Sequence, residues 1–316
     1  MRIVFFGSSD FGLCCLDALR ASEFELVKCF TQPAHKAGRG RKPRPTAVAQ
    51  WADENGVACV EAENINSDDM KQAVADCNAD LLVVIAFGQK ISDEIINMFE
   101  LGAINVHGSL LPRWRGAAPV NAAVVAGDKE TGITIITLVD KMDAGFMMGK
   151  AAIAIGADDT AGTMYKKLGE ISDKPLMDVI RQIEKGTAVY EEQDVSLVTL
   201  AKKMKKADGY IDWSQEAAVI NNKIRGFWPW PGVKADYFSG KTKKCYRVTI
   251  SKARVVEGAE STGQFGLLDE DLHVICEKGR LEIMELKPAG KGLMAFRDFA
   301  NGRGLTAGDL FMPIEK

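Results

Sequence analysis

Asp80-Leu-Leu-Val-Val-Ile-Ala-Phe87 is the stretch on which the fold turns. Its seven consecutive apolar residues do not alternate with polar ones, which marks a strand covered on both faces, as in a parallel sheet between layers of helix. It stops far short of the ~20 residues that cross a bilayer. Upstream, Arg2–Phe6 is a β-branched and aromatic run ending at Gly7, and Asp10–Ala21 follows with apolar residues at helical spacing. Glu25–Thr31 reads as a second strand, Thr46–Gly56 as a helix and Val57–Glu61 as a short strand. Ser67 is placed to cap a helix running to Cys77. Downstream, Ser92–Phe99 is helical, Gly102–His107 a strand, Pro119–Ala126 a helix and Gly132–Leu138 a strand. This βαβα rhythm predicts an α/β fold with a Rossmann-like, doubly wound, mostly parallel sheet.

The rhythm fades near residue 188. Asp159–Gly186 reads as covering helices, and residues 189–207 as a linker. From residue 208 onward short strands alternate with turn signals: Gly232–Phe238, Tyr246–Val256, Gly263–Leu268, Leu272–Cys276 and Leu281–Leu286. With a helix over Glu216–Gly226, they predict a small OB-like β-barrel over residues 208–316, after a first domain over 1–188. A length of 316 residues suits two domains of about 150 each.

Charge is divided unevenly. Residues 1–199 carry 20 Lys and Arg against 28 Asp and Glu, and residues 200–316 carry 20 against 15. Within Lys202–Arg254 there are 13 basic and 4 acidic residues, which points to a polyanionic partner. The seven cysteines are odd in number and show no Cys-x-x-Cys, so reduced thiols in the cytoplasm are expected. With three scattered histidines they make no metal set. Met1–Gly7 enters a strand directly, so no leader peptide is expected.

Four stretches carry candidate chemistry. In Gly7-Ser-Ser-Asp-Phe-Gly12 the second glycine of a dinucleotide-binding turn is replaced by Ser9, which argues against a bound pyrophosphate. In the second stretch, Gly102–Pro119, Asn105 and His107 fall at i and i+2 near a strand's C-terminal end, on one face. An amide can donate to a developing oxyanion and an imidazole can relay a proton. The imidazole needs a carboxylate, and Asp140 and Asp143 both follow the next strand; spacing does not choose between them. Third, the loop Gln32–Pro45 holds five Lys and Arg, two Gly and three Pro. Such a loop is expected to be exposed and suits a phosphate backbone. Finally, in Arg225-Gly-Phe-Trp-Pro-Trp-Pro-Gly232 the tryptophans offer stacking surfaces, although packing at a domain boundary explains them as well.

At these residues the sequence resembles the methionyl-tRNA formyltransferase family of the folate-dependent formyltransferase superfamily. The likeness runs through Gly7-Ser-Ser-Asp-Phe11, Ala37-Gly-Arg-Gly40, Ile104–Pro119, Met142-Asp-Ala-Gly145, Ile211-Asp-Trp213, Trp228-Pro-Trp-Pro231 and Lys287-Pro-Ala-Gly-Lys291. It implies a catalytic trio of Asn105, His107 and Asp143, with His107 protonated. It implies folate contacts at Ser109, Leu110, Leu111 and Pro112, and at Phe87, Gly88 and Gln89. Arg39, Arg41 and Lys42 of the loop, with Lys202, Lys203, Lys205 and Lys206, would meet tRNA. The implied donor is 10-formyltetrahydrofolate, the implied acceptor the amine of methionyl initiator tRNA, and the implied state a monomer free of metal and membrane. Phe146 departs from the family pattern after Asp143-Ala-Gly145. A folate-dependent formyltransferase acting on a sugar-nucleotide amine is the alternative; it would not need the basic loop. A non-catalytic RNA-binding protein would have no need of the trio, and a nicotinamide-dependent oxidoreductase would need the missing glycine.

Overall fold

Leu81–Ile85 is buried along its whole length, and the sheet around it shows why. The computed structural model describes residues 1–37, 42–256 and 263–314. In the first of two compact units, seven strands form one sheet: β1 (Arg2–Gly7), β2 (Glu25–Thr31), β3 (Cys59–Glu61), β4 (Leu81–Ile85), β5 (Ala103–His107), β6 (Glu130–Thr137) and β7 (Met147–Ala154). Their order is β7-β6-β5-β4-β1-β2-β3. The pairs β1–β2, β1–β4, β2–β3 and β4–β5 are parallel, and β6 and β7 join antiparallel at one edge. Val4 and Phe6 face one way, into a core shared with Val74 and Ile95 of covering helices. Phe5 faces the other way.

The chain reverses its winding between β1 and β4. The loops leaving these two strands, residues 7–12 and 86–90, therefore flank the crevice at which open α/β sheets place ligands. Gly7 and Gly12 are explained by packing. A Cβ at Gly7 would stand 2.5 Å from Phe5 Cε1 and 2.8 Å from the Ile85 carbonyl oxygen, and one at Gly12 would stand 3.0 Å from Phe5 Cζ. We expect Gly7→Ala to destabilise the protein by about 1–3 kcal/mol, the cost of overpacking a filled core. Urea unfolding checks this, and an unchanged midpoint would contradict it. Ser9 accepts from the Phe11 N–H and its hydroxyl meets that of Tyr165 at 2.7 Å, so this turn is held by protein groups.

The first unit comprises Met1–Pro119, Glu130–Ala154 and Tyr165–Ala201, and the second Val120–Lys129, Ile155–Met164 and Lys202–Lys316. The second is built on an antiparallel sheet ordered 274–275, 280–288, 245–256, 233–238, 310–312, with 294–295 beside 280–288. Bridges from Leu267 to Leu310 and from Leu268 to Val274 all but close it into a barrel. Helix Ala217–Gly226 packs on its strands. Tyr237, Val248, Ile250, Leu281, Leu286 and Phe311 fill the interior, where the Tyr237 hydroxyl donates to Asp309 Oδ2 at 2.8 Å. The architecture is thus the expected one, a Rossmann-like sheet followed by a small barrel.

Several elements differ from expectation. Gly263–Leu268 supplies only bridges, and Leu310–Met312 takes the strand position beside 233–238. Met147–Ala154 is a strand that the sequence pattern did not mark. Within the loop 32–45, His35–Ala37 pairs antiparallel with Lys42–Arg44. Ser67 is at the N-cap position but its hydroxyl donates to the Asn64 carbonyl rather than capping the helix. No described helix is long and apolar enough to cross a membrane.

Candidate active site

His107 ends β5, where the strand stops because Gly108 and Ser109 turn the chain away. It pairs with Thr134 of β6, and the imidazole is only 5% exposed. Nε2 donates to the Trp114 carbonyl at 3.0 Å, and Nδ1 lies 3.6 Å from Asp143 Oδ2. The loop that returns Trp114 to the imidazole is pinned at its start. Thr134 Oγ1 donates to the Ser109 carbonyl at 2.7 Å and accepts from the Leu111 N–H at 3.0 Å. Trp114 itself has φ 65°, in the left-handed region, which aims its carbonyl inward.

Asp143 sits in the turn after β6, also left-handed at φ 51°. Its Oδ2 accepts from the Gly116 N–H at 2.7 Å. Gly145 follows because nothing larger fits: a Cβ there would stand 1.8 Å from the Thr137 carbonyl oxygen. Asp140, the other carboxylate left open by the sequence, instead accepts from Lys90 Nζ at 2.5 Å on the surface.

Asn105 lies two residues before His107 on β5, and alternation puts both side chains on one face. It is half-buried, and its amide has no hydrogen-bond partner among the described residues.

The electrostatics revise one expectation. Burial pushes the His107 pKa below its ordinary value of 6.5; Asp143 and the Trp114 carbonyl oppose this, and the Arg115 charge adds to it. The shift favours a neutral resting imidazole over a protonated one. With Nε2–H committed to Trp114, the Nδ1 lone pair faces the carboxylate. At 3.6 Å this is no hydrogen bond. It is a gap that a proton, arriving on Nδ1, would turn into a charged pair. The arrangement is suited to receiving a proton and returning it.

The other expected site residues are dispersed. Ser109 is fully buried, its hydroxyl donating to the Arg113 carbonyl at 2.6 Å. Leu111 is buried, while Leu110 and Pro112 are half-buried. Phe87 is buried, with its carbonyl accepting from Gln32 Nε2 and Ser8 Oγ; Gly88 is exposed at φ 83°. The Gln89 amide is taken: it accepts from the Ile65 N–H and donates to the Ala62 carbonyl. Lys202, Lys203, Lys205 and Lys206 are exposed on the second unit. Arg39 and Arg41 lie outside the described residues, and Lys42 is placed by its backbone alone. Trp230 is 50% exposed and Trp228 half-buried.

One acidic cluster resembles a metal site, Asp269 with Asp271 and His273. Asp269 is already occupied, since Oδ1 accepts from the Asp271 and His273 N–H groups and Oδ2 takes the Arg280 guanidinium. A cation in place of the metal makes this a structural corner.

A family model described as formyl transferase matches residues 1–180, which include the whole His107–Asp143 site, and the formyl transferase C-terminal domain model matches residues 203–304. The chain belongs to the formyl transferase family. Among solved structures, this formyl transferase is similar to an N-formyltransferase from Helicobacter canadensis in complex with folinic acid and dTDP-3-aminofucose. The identity is 14% over 89% of this chain and 98% of that one, with a TM-score of 0.64. It is similar to WlaRD, a sugar 3N-formyl transferase solved in the presence of dTDP and 5-N-formyl-THF, at 15% identity over 92% and 99% of the chains and a TM-score of 0.64. It is also similar to HypX from Aquifex aeolicus at 15% identity and a TM-score of 0.63, where the whole of this chain spans half of that one. At such identities the likeness is one of fold.

Proposed function

We propose that this formyl transferase moves the formyl group of 10-formyltetrahydrofolate to a primary amine, and that the amine is the α-amine of methionine esterified to initiator tRNA. One observation carries the chemistry: the Asn105 amide, without a hydrogen-bond partner among the described residues, stands on the strand face of a buried imidazole that has a carboxylate 3.6 Å away. A neutral amine attacking the formyl carbon builds negative charge on the formyl oxygen and positive charge on its own nitrogen. Asn105 donates to the oxygen. Neutral His107 accepts the proton that the amine nitrogen gives up, directly or through one water, at the Nδ1 that faces Asp143. The charged imidazole is then held by the carboxylate until the proton passes to the departing N10. The folate donor supplies an activated one-carbon unit. No cysteine takes part; Cys15 and Cys276, for example, are buried with their thiols pushed up to about 12 by desolvation.

The tRNA acceptor rests on the sequence motifs and on charge: the five Lys and Arg of the 32–45 loop, and the exposed Lys202, Lys203, Lys205 and Lys206. The structural relatives favour a second reading, an amino sugar carried on a nucleoside diphosphate, since the Helicobacter canadensis enzyme and WlaRD were both solved with dTDP-bearing or dTDP ligands. The two separate in one assay: formyl transfer from 10-formyltetrahydrofolate to methionyl initiator tRNA and, in parallel, to a dTDP-linked amino sugar. The first reading predicts transfer to the tRNA, with binding that weakens with salt at a log–log slope of about −0.7 to −0.9 per phosphate neutralised. Transfer to the sugar alone establishes the second, and transfer to neither overturns both.

A further inference from the structure

We infer that Gln193 is a positioning residue for formyl transfer: it holds the Asp143 carboxylate against His107 by gripping the backbone of the Asp143 turn, and Arg115 holds Gln193 in turn. The inference rests on reading His107 and Asp143 as the reacting pair.

Gln193 lies fifty residues beyond Asp143, in the stretch that the sequence reads as a linker. Its Nε2 donates to the Asp143 and Gly145 carbonyls, each at 2.8 Å. Its Oε1 accepts from Arg115 Nε at 3.0 Å and Nη2 at 2.8 Å. Two donors and two lone pairs are the full capacity of a glutamine amide, and all are used. Gln193 is 9% exposed and Arg115 5%, so water does not replace these bonds. No carboxylate pairs with Arg115 among the described residues. A buried guanidinium bonded to an amide fixes which end of that amide faces the carbonyls. That matters because Asp143 is left-handed, a conformation that its surroundings must enforce.

The segment carrying Gln193 grips the site at both ends. At one end Glu191 and Met147 exchange backbone hydrogen bonds of 2.8 and 2.9 Å, and Gln193 takes the turn. At the other, the Trp114 and Arg115 N–H groups donate to Thr199 Oγ1 and the Thr199 carbonyl, each at 2.9 Å. Trp114 supplies the carbonyl that orients His107, and Gly116 the N–H that orients Asp143. One stretch thus sets both partners. The charged groups facing the imidazole are Asp143 and Arg115, and Gln193 touches both.

The test uses Gln193→Met, Gln193→Glu, Val195→Ala and Asp143→Asn. Val195 is on the same segment and 77% exposed, so its variant keeps full activity. Gln193→Met is expected to lower kcat about 10–100-fold with the acceptor selected above, as loss of an orienting partner does. KM for the formyl donor should hold. Gln193→Glu keeps a partner for Arg115 but has no hydrogens for the two carbonyls, so it should be impaired as well. Because the chain has only three histidines, 15N-histidine NMR resolves His107 without any acceptor. In Gln193→Met the His107 titration midpoint should fall, because Asp143 no longer holds the imidazolium. Wild-type kcat with an unmoved His107 titration in Gln193→Met overturns the inference, and so does full activity in Gln193→Glu. Full transfer in Asp143→Asn instead overturns the reading of the reacting pair. If Asp143→Asn is inactive while Gln193→Met is normal, only the positioning role falls.

Discussion

His107→Asn is expected to slow formyl transfer by about 10²–10⁴-fold, the range that a positioned proton carrier contributes. In the proposed reaction the imidazole takes a proton from the attacking amine near neutral pH and gives it up again. Asparagine retains a donor for the Trp114 carbonyl but has no basic nitrogen to offer at the position of Nδ1. Asp143→Asn should fall in the same range, since it preserves an acceptor for the Gly116 N–H while removing the charge that holds an imidazolium. The two residues act as a unit, so the double variant should be little worse than either single one. Single-turnover rates measure all three. Losses that multiply in the double variant would mean that the residues act separately.

Asn105→Ala is expected to cost about 10²–10³-fold in kcat, as removal of an oxyanion donor does. Acceptor and donor KM should change little, because the interaction forms as charge appears on the formyl oxygen. The residue makes no described hydrogen bond that holds the fold, so the melting temperature should stay close to wild type. A loss confined to KM would assign Asn105 to ground-state binding.

How much of this was legible beforehand follows from which forces are local. Leu81–Ile85 was readable because a strand covered on both faces must be apolar throughout. The pair Asn105 and His107 was readable because strand alternation fixes a shared face without reference to the rest of the chain. Met147–Ala154 was not, since Met-Met-Gly-Lys-Ala-Ala-Ile-Ala has little intrinsic strand preference; pairing with Glu130–Thr137 makes it a strand. Phe296–Arg303 is helical although it holds Asp, Asn and Gly, because Phe296, Phe299 and Ala300 are buried in the barrel core. The choice between Asp140 and Asp143 depends on a left-handed turn and on an N–H from Gly116, neither of which spacing reveals. Gln193 carried no sequence signal: its partners are remote in the chain, and an isolated glutamine in a polar stretch reads as surface.

Burial of His107 works against the expected protonated imidazole. A histidine beside an aspartate suggests a charged imidazole. Here burial outweighs the carboxylate in the direction of the shift, which suits the proposed role of the imidazole as a base. Activity should accordingly persist as pH falls through 6.5, the ordinary histidine value, and decline at lower pH as the imidazole takes up a proton.

The most direct test of the account is a crystal structure of the protein with 5-formyltetrahydrofolate, a stable isomer of the donor that carries the formyl group on N5. The account predicts that the formyl group lies within hydrogen-bond reach, about 3 Å, of the Asn105 amide and beside His107. A folate seated with its one-carbon unit away from β5, leaving Asn105 and the His107–Asp143 pair untouched, would contradict it.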